Sequence, residues 1–248
     1  MIVLKSREEL AKIRKASKIV AVILKEIEEM IRPDVTTEEL DRFAEERIRS
    51  LGGVPAFKGY RGYQATLCTS INEEVVHGIP SKRSLKNGDI IGIDCGAIAD
   101  GYYGDAAVTF PVGQISEESA KLIQATRKAL ESGIQMMRVG NRLGDVSYAV
   151  QCQGDAYSYG IVRDFVGHGI GRALHEEPQV PNYGSPHTGI RLSPGLVLAI
   201  EPMFNLGTHL VKVLDDGWTA VTTDGRRSAH FEHTVAVTES GPEVLTVL

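Results

Sequence analysis

Residues 90–105 read IIGIDCGAIADGYYGD and consist of two apolar, strand-like runs joined at Asp100-Gly101. Asp-Gly between two such runs is a strong signal for a β-hairpin with a two-residue loop. In that hairpin, residues whose numbers sum to 201 (100 + 101) face each other, so Asp105 faces Gly96 and lies diagonal to Asp94 on one face. Two carboxylates inside an apolar hairpin repel each other and resist dehydration unless a cation lies between them. The stretch therefore predicts a metal site, for one ion or for two.

The composition is that of a chain able to bury one large core. The 248 residues carry a net charge of −5 at pH 7, which argues against nucleic acid as the main ligand. Three widely separated cysteines indicate reduced thiols in a cytoplasmic protein rather than disulfides or a structural zinc site. No run reaches the roughly 18 apolar residues of a membrane span, and residues 1–4 are too short for a signal peptide. We expect a cytoplasmic protein with no membrane partner.

Two helices followed by strand-like segments occur twice along the chain. Capping patterns open three predicted helices at Ser6, Thr36 and Ser116, and a fourth is expected to begin near Asp145. No linker separates the two halves, so we predict one α+β domain with helices outside a central antiparallel sheet. The functional site is then expected where the halves meet. The predicted domain covers residues 1–248, with pseudo-repeats over roughly 1–112 and 113–248.

Three polar residues of the second half lie in unusual settings. His168 is flanked by glycines, Glu201 ends an apolar strand-like run, and Glu232 lies in a segment that alternates in the strand manner. Taken singly, each is more often a turn residue or a solvated strand end, but acids are uncommon in such strands. Four carboxylates balance two divalent cations in charge, and oxygen ligands with one nitrogen suit manganese, iron(II), cobalt or zinc. The predicted ligands are Asp94, Asp105, His168, Glu201 and Glu232.

Two further histidines lie close to these segments in sequence. His77 precedes a Gly-Ile-Pro turn, and His175 follows His168 by seven residues. Either could be a surface-loop residue, but beside a dinuclear site each becomes a candidate to hydrogen-bond the substrate or the transition state. Alternation directs the side chain of His233 away from the face used by Glu232. The histidines expected to be structural or exposed are His187, His209, His230 and His233.

At these residues, and over essentially its whole length, the chain resembles the type I methionine aminopeptidases. The resemblance implies the pita-bread fold, in which helices pack outside a curved antiparallel sheet, and removal of the N-terminal methionine from nascent proteins. The 26 residues between His175 and Glu201 leave no room for the insertion of type II relatives, so a plain bacterial-type enzyme fits best. The motifs are the hairpin with its eleven-residue gap (105 − 94), NEEVVHGIP at 72–80, GHGIGRALHEEP at 167–178, EP at 201–202 and FEHT at 231–234.

The resemblance also implies roles for the ligands. Asp94 and Asp105 would hold one divalent ion, and the second would be held by Asp105 with His168, Glu201 and Glu232. Asp105 and Glu232 would bridge the two ions. An apolar, aromatic and sulfur-containing slot for the methionine side chain is implied at Phe57, Tyr60, Tyr63, Cys68, Leu174 and Trp218.

The mechanism expected from this site uses His77, His175 and Glu201 as catalytic residues. A hydroxide bridging the metals attacks the first peptide bond, whose carbonyl a metal and His175 polarise. Glu201 carries the proton towards the leaving amine, and His77 steadies that side of the transition state.

Two other functions stay open at this point. A proline dipeptidase shares the fold and the ligand set, and an inactive pita-bread binding module would share the fold alone. The expected partners of the enzyme are the N-terminal methionine of nascent polypeptides and, as a candidate docking partner, the ribosome, with the chain acting as a monomer.

Overall fold

The computed structural model describes residues 2–248, and within them it contains four α-helices, a short 3₁₀ helix at Tyr60–Gly62 and fifteen strands. The helices are α1 (Arg7–Met30), α2 (Thr37–Ser50), α3 (Glu117–Gln135) and α4 (Leu143–Tyr157). The strands are β1 (Val54–Pro55), β2 (Leu67–Ile71), β3 (Glu74–Val76), β4 (Ile90–Ala99), β5 (Tyr102–Pro111), β6 (Gly160–Ile161), β7 (Gly167–Gly169), β8 (Glu176–Val180), β9 (Val197–Ile200), β10 (Met203–Asn205), β11 (Val211–Val213), β12 (Ala220–Thr222), β13 (Ser228–His230), β14 (Glu232–Thr238) and β15 (Gly241–Val244).

A nine-stranded sheet forms the centre of the molecule. Its main path runs β1-β4-β5-β14-β9-β7-β8, with β2 added beside β4 and β15 beside β14. Neighbouring strands in this sheet are antiparallel throughout residues 2–248. The pairing of β5 with β14 joins strands of the first half of the chain to strands of the second half. Two three-stranded sheets, β13-β10-β6 and β11-β12-β3, lie beside the large one. The α+β prediction with a central antiparallel sheet is confirmed.

The β4–β5 hairpin has the predicted register. Ala99 pairs with Tyr102 and Gly96 with Asp105, so the loop is the two residues Asp100 and Gly101. Both loop residues have positive φ, 51° and 76°, as a type I′ turn requires. Because side chains alternate along a strand, this parity directs the Asp94 and Asp105 carboxylates to one face of the sheet.

Helix α1 packs very closely on the hairpin at Gly104. Its capping box at Ser6 and Glu9 is present, and its buried stripe includes Ser17, which is fully enclosed. A side chain at Gly104 would place its Cβ 2.6 Å from the Ser17 Cα atom. The small residues on both elements therefore allow the helix to lie directly on the strand that carries Asp105.

The start of α4 lies close to the position expected from the sequence. The helix begins at Leu143, two residues before Asp145. The Asp145 carboxylate accepts a hydrogen bond from the Arg142 backbone N–H at 2.7 Å, so Asp145 lies in the first turn and satisfies the helix entrance from inside. Among residues 2–248, none of the helices has the length and apolar character needed to cross a bilayer.

Candidate metal centre and substrate cavity

A cavity of about 580 Å³ opens over the central sheet, on the face that carries Asp94 and Asp105. Its wall brings together residues from the first and second halves of the chain, including residues more than 170 positions apart. All the residues proposed from the sequence as ligands, catalytic groups or slot lining are found in this wall: Phe57, Tyr60, Tyr63, Cys68, His77, Asp94, Asp105, His168, Leu174, His175, Glu201, Trp218 and Glu232.

The acids reach the cavity from adjacent strands. Asp94 lies in β4 and Asp105 in β5, while Glu201 follows the end of β9 and Glu232 begins β14. In the seam between β5 and β14, the Thr234 hydroxyl donates to the Asp105 carbonyl oxygen at 2.7 Å and accepts from the Asp105 N–H at 3.1 Å. Thr234 thus fixes the backbone of Asp105 where the strand pairing ends.

His168 is the imidazole that the sequence predicts as a ligand, and it lies among the acids. Its Nδ1 atom lies 2.9 Å from the Gly169 carbonyl oxygen, which can only accept, so Nδ1 carries the proton and Nε2 presents its lone pair. That Nε2 atom lies 3.6 Å from Glu201 Oε1 and 3.9 Å from Asp105 Oδ2. Ligand atoms of Asp105, His168 and Glu232 all lie within 4.8 Å of one another.

The charge balance of the group fits divalent cations. Within residues 2–248, one buried carboxylate oxygen of each of Asp94, Asp105 and Glu232 has no hydrogen-bond partner. Burying such an oxygen is unfavourable unless a bound group, such as a cation, contacts it. Burial raises the pKa of Asp94 to about 7. Burial and the neighbouring carboxylates raise the pKa of Asp105, Glu201 and Glu232 well above the usual range. Burial, with a smaller effect of His175, lowers the pKa of His168 to about 3, which keeps it a neutral ligand.

His77 and His175 lie beside the acids. His175 opens to solvent on one side, with its ring centroid 4.4 Å from that of His168 and its Nδ1 atom 2.8 Å from the Tyr60 hydroxyl. His77 has positive φ, 61°, and its ring meets that of Phe165 edge to face at 5.3 Å. Both imidazoles are held at the cavity wall by aromatic neighbours.

The slot is apolar and adjoins the acids directly. Cys68 in β2 pairs with Asp94 in β4, so the thiol side of the slot is one strand away from a carboxylate. Tyr63 is buried, donates through its hydroxyl to the Leu67 carbonyl oxygen at 2.9 Å and meets the Trp218 ring edge to face at 5.0 Å. A side chain at Gly96 would place its Cβ 2.6 Å from the Phe57 ring, so the absence of one there makes room for that wall.

His230, which the sequence predicts to be structural or exposed, lies next to the acids. His230 is buried, and its Nε2 atom lies 3.9 Å from Glu201 Oε2, with no hydrogen-bond partner within residues 2–248. The spacing of His230 and Glu232 was a usable signal, because residues two apart in extended chain share a face.

The other histidines lie elsewhere. His233 Nδ1 lies 2.8 Å from the Thr246 hydroxyl, and the residue lines a separate pocket with Arg127 and Phe231. It therefore lies away from the Glu232 face, as alternation predicts. His187 is exposed and His209 is half-buried.

The antiparallel sheet with outer helices and the acid-lined cavity define a metal-dependent hydrolase of the pita-bread class. The chain belongs to Metallopeptidase family M24, whose model matches residues 11–239. The family and the fold inferred from the sequence motifs are confirmed.

Full-length relatives are similar along the whole chain. Methionine aminopeptidase of Clostridium acetobutylicum is 52% identical over 248 residues, covering 100% of this chain and 99% of that protein. The crystal structure of methionine aminopeptidase from Thermotoga maritima superposes with a TM-score of 0.98 at 49% identity, covering 100% of both chains. The prolidase from Pyrococcus furiosus shares the fold, with a TM-score of 0.78 at 24% identity, and covers 99% of this chain and 66% of its own.

Proposed function

We propose that this chain is a metalloaminopeptidase that removes the N-terminal methionine from polypeptides. The observation that carries the proposal is the apolar slot of Tyr63, Cys68 and Trp218, which directly adjoins the acid cluster through the pairing of Cys68 with Asp94. An unbranched thioether side chain suits such a slot. With that side chain in the slot, the first peptide bond lies over the carboxylates. The full-length similarity to methionine aminopeptidases supports the same substrate.

We propose that the acid cluster holds two divalent ions, with manganese, iron(II), cobalt and zinc as the candidates. The partnerless buried oxygens and the four carboxylates against one neutral imidazole support two divalent charges. When bound, the ions supply a water of lowered pKa and a Lewis acid for the scissile carbonyl. Asp94 and Asp105 would hold one ion, and Asp105, His168, Glu201 and Glu232 would hold the other.

The chain's own groups then share the proton transfers. The Tyr60 hydroxyl lies 2.8 Å from His175 Nδ1 and hydrogen-bonds to it. With Nδ1 as the acceptor, Nε2 carries the proton and is free to donate to the scissile carbonyl oxygen. Glu201 moves the proton to the leaving amine, and His77 steadies that amine from the side held against Phe165. The slot admits one side chain, and the free α-amine of the substrate lies against the carboxylates, so the cut falls at the first peptide bond.

We propose that residues 1–248 act as one catalytic domain in the cytoplasm, where nascent polypeptides and the ribosome are its partners. Asp94 and Asp105 belong to the proposed repeat 1–112, and the other three ligands belong to 113–248. Three free cysteines suit a reducing compartment.

The test is peptidase activity of metal-stripped protein restored with each candidate ion in turn. Met-Ala-Ser should be cleaved to methionine and Ala-Ser, and Ala-Pro should not be hydrolysed. Hydrolysis of Ala-Pro without cleavage of Met-Ala-Ser would instead identify a proline dipeptidase. Calorimetric titration showing no tight divalent-ion binding would favour an inactive binding module.

A further inference from the structure

We propose that Lys5 is a positioning residue for His175, and that it acts through the carboxylate of Glu176. This inference rests on the proposed function of His175. Lys5 precedes the first helix and lies outside the wall of the cavity, within the part of the chain described. Its influence on the reaction is therefore indirect.

Lys5 is almost fully enclosed, at 7% exposure. Its Nζ atom donates to Glu176 Oε2 at 2.6 Å and to the Val3 carbonyl oxygen at 2.9 Å. Its backbone N–H donates to the Gly195 carbonyl oxygen at 2.7 Å. An enclosed ammonium needs a charged partner, so the pair with Glu176 joins the start of the chain to a loop 171 residues away.

The other oxygen of Glu176 organises the loop that carries His175. Oε1 accepts from the Arg172 N–H at 2.7 Å and from the Ala173 N–H at 3.2 Å. The Lys5 stem also packs against Gly171, where a Cβ would collide with Lys5 Cε. Lys5 therefore fixes the carboxylate from one side, and the carboxylate fixes the backbone of residues 172–176 from within.

That backbone sets the position of the His175 ring. The loop has few strand hydrogen bonds of its own, because β7 ends at Gly169 and β8 begins at Glu176. The ring must meet both the Tyr60 hydroxyl and the space next to His168. A displacement of about 1 Å in a group that contacts the transition state can lower the rate by about a hundredfold.

The first experiment compares Lys5→Met with Lys15→Met in the metal-loaded enzyme. Lys15 pairs with Asp100 at 3.0 Å, and both side chains of that pair are more than half exposed, so the control removes the same charge from the surface. We expect Lys5→Met to lower kcat for Met-Ala-Ser by about tenfold or more, with KM changed much less and with calorimetric metal affinity retained. Lys15→Met should retain wild-type kcat. Wild-type kcat in Lys5→Met would overturn the inference.

The second experiment asks whether the effect passes through His175. In a His175→Ala background, Lys5→Met should lower kcat no further, whereas a general loosening of the fold would lower kcat equally in both backgrounds and overturn the inference. Glu176→Gln keeps an oxygen for the two amides but removes the charge. It should reproduce the loss, and the double variant with Lys5→Met should show no additional loss.

Hydrogen exchange tests the inference separately from activity. The amides of Arg172 and Ala173 should exchange about tenfold faster in Lys5→Met than in Lys15→Met, because their acceptor is no longer held. Equal exchange in the two variants would overturn the proposed path through Glu176. A wild-type enzyme inactive on Met-Ala-Ser would contradict the proposed function, while the exchange result would still decide the Lys5 contact.

Discussion

Asp105 takes part in the site through both its side chain and its backbone. Its carboxylate lies near His168 and Glu232, its backbone is held by Thr234 on both sides, and it follows the glycine on which α1 packs. The sequence could identify it because an acid in an apolar hairpin is anomalous. For His230 the sequence holds only part of the information: its spacing from Glu232 indicates a shared face, but its proximity to Glu201 depends on the pairing of Met203 in β10 with His230 in β13.

Asp105→Asn should abolish most activity and weaken metal binding. The amide keeps the shape but removes one negative charge from the proposed bridging ligand, so we expect metal affinity to fall by more than about tenfold. Calorimetric titration with Mn²⁺ measures it. The matched control is Asp100→Asn in the turn of the same hairpin, where asparagine suits positive φ. Equal affinity in the two variants would remove Asp105 from the ligand set.

His230→Ala should lower kcat by about tenfold while metal affinity stays within about twofold. The reason is that Glu201, the proposed proton-transfer group, loses the buried imidazole 3.9 Å from its Oε2 atom, and a correctly positioned proton-transfer group contributes roughly 10²- to 10⁴-fold. His209→Ala, outside the cavity wall, is the control for steady-state kinetics. An unchanged kcat in His230→Ala would show that the imidazole only fills space.

At the scale of elements, the features predicted well were those set by local sequence. The capping boxes of α1 and α2 and the two-residue hairpin loop depend on neighbours within three positions. The start of α4 at Leu143, two residues before Asp145, likewise agrees with the prediction of a helix beginning near Asp145. The order of strands across the sheet depends on contacts between distant segments and was not predictable from periodicity.

One glycine inserted between Asp100 and Gly101 should abolish metal binding, whereas two should largely restore it. A single insertion reverses which face each later residue of β5 presents, so Asp105 turns away from Asp94, and a second insertion returns the original parity. Metal titration of the two variants compares them directly. Equal binding by both would contradict the argument from register.

Gly104→Ala should destabilise the fold much more than Gly92→Ala. The methyl group at Gly104 meets the Ser17 backbone, while at Gly92 the nearest atoms lie at an ordinary 3.7 Å. Overpacking of this kind costs about 1–3 kcal/mol, which corresponds to a fall in Tm of about 2–12 °C for a chain of this size. Thermal denaturation followed by circular dichroism measures the difference. Similar Tm values would show that α1 can move away without penalty.

At the scale of the whole molecule, the acid cluster couples stability to pH and to metal. In protein kept free of metal by a chelator, burial raises the pKa of Asp94 to about 7, and those of Asp105, Glu201 and Glu232 lie well above their usual range. The unfolded chain loses these protons near pH 4. The folded state therefore binds more protons than the unfolded state, and these groups lower stability as pH rises through their folded pKa values.

The Tm of chelator-treated protein should accordingly fall between pH 6.5 and 8.5, by at least about 3 °C. Several histidines have their pKa lowered by burial to about 3 or 4 and oppose this trend, but only below the unfolded histidine pKa of about 6.5. Added Mn²⁺ should remove the fall, because binding to the folded state alone raises stability. The same measurement on Asp94→Asn provides a comparison. A Tm that stays constant with pH both in wild-type protein and in Asp94→Asn would contradict the coupling between stability and pH.

The pairing of β5 with β14 has a consequence for when the site can form during synthesis of the chain. The proposed ligands Asp94 and Asp105 are synthesised early, and the proposed ligand Glu232, in the strand that pairs with β5, is synthesised late. An N-terminal fragment that stops before Glu232 carries Asp94, Asp105, His168 and Glu201 but lacks the strand that holds the Asp105 backbone. With the proposed ligand set, we therefore expect tight metal binding, and with it peptidase activity, only after β14 has paired with β5.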